Sequence, residues 1–250
     1  MEFNYRKNKN DNLFKQLTDE NLLNVENIQN YIPIYNKFFN LNDNNYNSIN
    51  LNNKFKLESI KEKLEYSKFI GSIVDDSNNV FEKKIFFKYS PLVDPVKYMI
   101  GKYDNSNNNN DIFNLPKINN NQNINDKLLD TNNSAYSDGF FSFLSSLLLN
   151  KYDFQNAIDY YGSFLCIKKN FIVDVEDDVE YLDDSDYFHK NNNTLFKIEE
   201  NEAYKNYFSN TKKNRKELCI DELDISDDIL DICDLNNNEY NLSEINLEKI

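Results

Sequence analysis

Apolar positions gather into short stretches along this chain, and asparagine-rich polar stretches separate them. Near the start, Thr18-Asp19-Glu20 is a helix-start signal and predicts a short helix over Asn21 to Gln29. Tyr31-Ile32-Pro33-Ile34-Tyr35 is too apolar and aromatic for free coil. Its proline forces an extended approach at Ile32, so the piece is expected to pack on the core as an arm. Asn40 to Asn53 reads as loop. Leu57, Ile60 and Leu64 then fall at i, i+3 and i+7 with Lys and Glu between them, the face of an amphipathic helix. Tyr66 to Val74 turns strand-like. Asp75-Asp76-Ser77-Asn78-Asn79 is a dense turn signal, and Val80 to Tyr89 brings Ile85, Phe86 and Phe87 together before Lys88. Two β-rich runs around a polar turn predict an antiparallel hairpin, ended by Pro91 and Pro95.

The second half opens with an Asn-rich insertion over 104–130, in which Leu115-Pro116-Lys117 is the one anchored point. Asn132-Asn133-Ser134 can cap a helix over Ala135 to Leu149. That helix is apolar nearly all round, which predicts burial on most sides. Tyr160 to Ile167 and Phe171 to Val175, joined by Lys168-Lys169-Asn170, read as a second hairpin. Asp186 to Ile198 adds one small element. From Asn201 the chain is Lys/Asn-rich and then acidic. Residues 201–250 are expected to be a charged, mostly disordered tail with a weak helix near Glu222 to Leu235. The fold class is α+β, in three parts: an N-terminal arm over 1–53, a core over 54–200, and the tail.

Composition sharpens this only in places. About one residue in five is Asn, and Lys, Ile, Tyr and Phe are also frequent, so an A/T-rich genome accounts for most single asparagines. A formal net charge of −14 disfavours phosphate backbones and anionic membranes, so neither nucleic acid nor membrane is an expected partner. The N-terminus has no apolar signal region, and the longest apolar run, Gly139 to Leu149, is about half the length of a bilayer span. The three cysteines form no C-x-x-C, and Cys166 sits in an apolar run where a small buried hydrophobe is the default. With the lone His189, they predict no metal site and an intracellular, non-secreted protein.

Lys88 is the best candidate for chemistry. A Lys closing the third strand of a kinase small lobe holds ATP phosphates and pairs with a Glu on the next helix. Pattern alone favours a surface Lys at a strand end. The following helix offers Asp138 as the one acid, either as partner to Lys88 or, as favoured here, as an acid complementing the helix dipole. Phe86-Phe87 before Lys88 replaces the small residue that leaves room for adenine. The paired glycines of a phosphate loop are absent: only Gly71, Gly101, Gly139 and Gly162 occur, and Gly162 is expected to relieve a crowded strand or form a bulge. The anionic Asp75–Asn79 turn opposes phosphate. No H-x-D loop with a downstream Asn and no D-F-G turn occurs, so no catalytic residue is assigned. The Asp177-Asp178, Asp183-Asp184 and Asp227-Asp228 pairs lack calcium-loop spacing and read as solvated acids.

The segments FFKYSPLVDPVKYMIGKYD, SAYSDGFFSFLSSLLLN and IDYYGSFLCIKKNFIVDVEDDVEYLDDSDYFHKNNNTLFKI resemble kinase-like proteins of giant, mimivirus-like DNA viruses, over roughly residues 30–200. The resemblance implies a protein-kinase-like small lobe, with Lys88 as the phosphate-binding Lys and Val175 to Leu182 as the linker between lobes. It implies ATP and magnesium as cofactors if a complete protein is active. A C-terminal kinase lobe or a viral or host protein is the implied partner, and host cytoplasm (the viral factory) or the virion the implied location. The catalytic loop and the D-F-G-type turn would follow this region, so the chain is expected to be catalytically incomplete. The alternative is a non-catalytic interaction or virion module that docks through Tyr31 to Phe39.

Overall fold

A computed structural model describes residues 3–103, 112–119, 121 and 123–198. In chain order these form β1 (Tyr5–Lys7), α1 (Asp11–Asp19), β2 (Val25–Gln29), β3 (Ile49–Leu51), β4 (Phe55–Lys63), β5 (Lys68–Asp75), β6 (Val80–Phe86), α2 (Pro95–Met99), α3 (Asp126–Leu129), α4 (Ser134–Tyr152), β7 (Leu165–Lys168), α5 (Val179–Asp183) and α6 (Asp186–Asn191). The class is α+β, built on small antiparallel sheets. The tail expected over 201–250, with Cys219, Cys233 and the Asp227-Asp228 pair, lies outside the described residues.

The main sheet is a three-stranded meander, β4-β5-β6. Its second turn follows its composition. Asp75 Oδ1 accepts from the backbone N–H of Ser77 and of Asn79, both at 2.8 Å, and Asn78 takes the left-handed conformation. The first strand corrects the expected helix at Leu57, Ile60 and Leu64. Bulges between Leu57 and Ser59 and between Ile60 and Glu62 shift the register of β4 against β5. Ile60 is thereby buried in the same cluster against which Leu57 packs. A spacing of three, normally helical, is here a strand re-phased by bulges.

The N-terminal segment is woven into the fold. β1 pairs with β3, and β2 pairs antiparallel with β7. The helix expected over Asn21 to Gln29 is therefore β2 and its approach, and the helix lies earlier, as α1. Asn21, Asn24 and Asn27 all adopt positive φ, near 51°, which breaks a helix at each. Leu13 and Leu17 of α1 face Leu23, Val25, Ile60, Phe69 and Ile73 in one cluster. Ile32 is extended, as its proline requires, and Tyr31 to Tyr35 is buried. Ile34 and Tyr35 pack with Phe140, Phe143 and Tyr160 in a second cluster. That burial takes Tyr31 to Tyr35 off the surface, while Phe38, further along the same segment, stays 39% exposed. In the insertion, Pro116 is fully buried and its carbonyl accepts from Gln29 Nε2 at 2.9 Å.

Asn133 caps α4 by accepting from Ala135 N–H at 3.0 Å. The helix is less covered than its all-round apolar pattern predicts. Tyr136, Phe140, Phe143 and Leu147 are buried, but Phe141, Leu148 and Tyr152 on another face are exposed, Phe141 at 69%. The second expected hairpin does not form: Phe171 to Val175 is no strand, and β7 takes β2 as its partner.

Strand crowding falls at Gly71 in β5, not at Gly162. Gly162 lies outside the strands at φ 144°, with nothing within 4 Å of a would-be Cβ. A Cβ at Gly71 would lie 2.8 Å from Ile85 Cδ1 and 3.0 Å from the Ser59 carbonyl oxygen. The carbonyl is held in the sheet and cannot swing aside. Gly71→Ala is expected to lower stability by about 1–3 kcal/mol, read from the urea midpoint; an unchanged midpoint would mean that β4 yields at this point.

Candidate functional site

Lys88 lies two residues beyond β6, in an extended segment between the meander and Pro91. Asp138 lies on α4, past its first turn. It therefore does not complement the N-terminal dipole, the role favoured from sequence; the structure brings it to Lys88 instead. Lys88 Nζ donates to Asp138 Oδ1 at 2.8 Å and lies 2.7 Å from Oδ2. Ser90 Oγ donates to Oδ2 at 3.4 Å. The two side chains are 62% and 38% exposed, and a pair so exposed contributes about 0–1 kcal/mol to stability. Folding energy therefore gives little reason for it. An ammonium has three donors. One of them is engaged by Asp138 Oδ1.

The pair stands at the rim of an open cleft of about 1050 Å³. Its walls come from the end of β6 and residues 87–93, the first turns of α4, and residues 158–173. Phe86 stands where a kinase strand carries its small residue, and it is exposed and lines the cleft. Phe87 also lines it, its ring 5.2 Å from that of Phe69 and 6.3 Å from that of Phe164.

At one side of the cleft, Lys168 Nζ lies 5.1 Å from the Tyr66 ring and 5.3 Å from the Tyr89 ring. Burial, with the charge of Lys63 beside it, lowers the Lys168 pKa. Burial also raises Tyr89 to about 12 and the Cys166 thiol to about 11. Cys166 is thus a protonated thiol at neutral pH and no nucleophile. No local pattern in the sequence marks this Lys168 clamp. Its signal, a basic residue between two distant tyrosines, exists only once β7 is placed.

The β4–β5 turn, Leu64 to Ser67, has no glycine, and Glu65 there pairs with Lys68 at 2.8 Å. Among the described residues, no group of three His, Cys, Asp or Glu side chains is placed to hold a metal ion. Val175 to Leu182, the implied linker, is a short 3₁₀ turn over Glu176–Asp178 running into α5. Asp183 is mostly buried rather than solvated; its carbonyl oxygen lies 2.7 Å from His189 Nε2. His189 is thus held within the α5–α6 corner and does not reach the cleft lining. Among the described residues, no helix is long and apolar enough to cross a membrane.

No protein-family model, curated protein or solved structure matches the chain.

Proposed function

We propose that this chain is the ATP-lobe-like part of a viral protein-kinase-like protein, able to hold nucleotide phosphate at Lys88 and catalytically incomplete as it stands. The observation that carries this is the ion pair between Lys88, just after the third strand of a meander, and Asp138 on the next long helix, at the rim of a cleft. That is the order and the pairing on which a kinase small lobe relies. The sequence supplies no H-x-D loop and no D-F-G turn, so phosphate transfer would need a second lobe, in cis or from a partner. Such a protein would work in the host cytoplasm or the virion.

The test is calorimetric titration with ATP and ADP, with and without magnesium. Binding is expected near a Kd of about 0.1–1 mM, since a site lacking its glycine loop forgoes most phosphate contacts. Lys88→Ala is expected to weaken it about tenfold or more while leaving the urea midpoint within about 0.5 kcal/mol. No phosphate release is expected. Absence of any binding at millimolar nucleotide would overturn the reading. A non-catalytic interaction or virion module would then lead, favoured by the apolar face that α4 exposes at Phe141, Leu148 and Tyr152.

A further inference from the structure

β6 is the outer strand of the meander, bonded to β5 on one side. Every one of its residues except Ile85 is exposed, with Val80 at 61% and Phe86 at 66%. Its register against β5 is regular, running from Lys68 opposite Phe86 to Val74 opposite Val80. At the two ends, Phe87 N–H donates to Ser67 and Asp75 N–H to Asn79. Hydrogen-bonded pairs alternate along an antiparallel ladder. Residues 81, 83 and 85 therefore bond inward to β5, and the backbone groups of Val80, Glu82, Lys84 and Phe86 face the open edge. An open edge of this kind is a template for another strand.

We propose that β6 pairs antiparallel with β6 of a second copy of this chain, about a two-fold axis at Lys83, joining the two meanders into one six-stranded sheet. The sequence Val80-Phe81-Glu82-Lys83-Lys84-Ile85-Phe86 complements itself in this register. Glu82 of one copy lies opposite Lys84 of the other, twice, and Val80 lies opposite Phe86, twice. Opposite charges and apolar pairs directly across from one another stabilise such a ladder. A slip of the register by one step in either direction sets Glu82 against Glu82 or Lys84 against Lys84. A single alignment is thereby selected, and isologous pairing closes at two copies.

The one unfavourable meeting is Lys83 with its own mate on the axis. Lys83 Nζ already lies 4.9 Å from the Phe55 ring centroid, on β4. The ammonium therefore leans across the sheet and away from the open edge. Nor does the chain's charge of −14 bear on this strand, because residues 54–88 carry eight lysines against six acids.

Sedimentation velocity on the full chain tests this, from micromolar loading up to about 1 mM, where even millimolar affinity populates a dimer. Wild type is expected to move from monomer toward dimer and no further. Lys84→Glu and Glu82→Lys, both at exposed positions, should each weaken dimerisation about tenfold or more, since each sets like charges opposite one another twice. Mixing the two variants should restore a heterodimer, an outcome that misfolding of either cannot produce. A monomer throughout the range would overturn the proposal. So would variants that dimerise as wild type does, or a mixture that stays monomeric.

Discussion

Between about pH 9 and pH 12 the fold is expected to come apart in one cooperative step, because ionisation of its buried hydroxyls and thiol is strongly opposed in the folded state. Burial pushes Cys166 from its ordinary 9.0 to about 11, and Tyr160 from 10.0 to about 12. Burial also raises Tyr35 and Tyr136, the first helped by its hydrogen bond and proximity to Tyr160. A pKa raised on folding means that the folded state binds the proton more tightly. The associated stability is complete below the unfolded values and drains away as pH climbs through the folded ones. Tyr160 alone, raised by two units, would withdraw about 3 kcal/mol by the upper end. Small domains hold about 5–15 kcal/mol in all, so a few such groups suffice. Urea midpoints measured at stepped pH should hold steady to about pH 9 and then collapse. Tyrosinate absorbance should rise together with the loss of far-UV circular dichroism. Tyrosines that titrate near 10 while the dichroism persists would show that the Tyr35–Tyr160 core is open to water.

Asn30→Ala is expected to remove about 3 kcal/mol, a large effect for one asparagine in a chain so rich in them. Asn30 is wholly buried. Its Nδ2 donates at 3.0 Å to the carbonyls of Lys9 and Asn47, and its Oδ1 accepts from Asn10 Nδ2 at 2.7 Å. Its own backbone N–H donates to Asn47 Oδ1 at 2.8 Å. Truncation would take their shared partner from two carbonyls and from one hydrogen of Asn10 Nδ2, which keeps Asn50 Oδ1 at 2.7 Å, at up to about 1–3 kcal/mol each and less than additively. The exposed Asn44 is the control, and Asn44→Ala should change the midpoint by less than about 0.5 kcal/mol. Equal effects at the two sites would return Asn30 to the background of codon bias.

That contrast marks where reading the sequence stops. Composition treats all asparagines alike, and burial alone separates Asn30 from Asn44. The β5–β6 hairpin was legible because its turn, Asp75 to Asn79, specifies its own hydrogen bonds locally. So was α4, capped by Asn133, although its pattern could not say which face would be covered. β4 carries the spacing of a helix because its bulges re-phase the strand, so its pattern points to the wrong element. β2 and its approach have a helix-compatible pattern, and three left-handed asparagines that the pattern does not encode interrupt it. At the cleft, Lys88 and Asp138 each stand out in the sequence, and only the fold brings them together across 50 residues. The Lys168 clamp depends on where β7 lies, which no local signal encodes.

The β2–β7 pairing also sets a timetable for synthesis. Val25 finds its partner Lys168 only after more than a hundred further residues have been made. At about 5–20 residues per second, β2 leaves the ribosome on the order of ten seconds before that partner exists. Meanwhile Leu13, Leu17, Leu23 and Val25 emerge without the strands that later cover them. Nascent chains halted before residue 165 should therefore remain sensitive to protease around β2 and recruit chaperones, and those released after residue 198 should not.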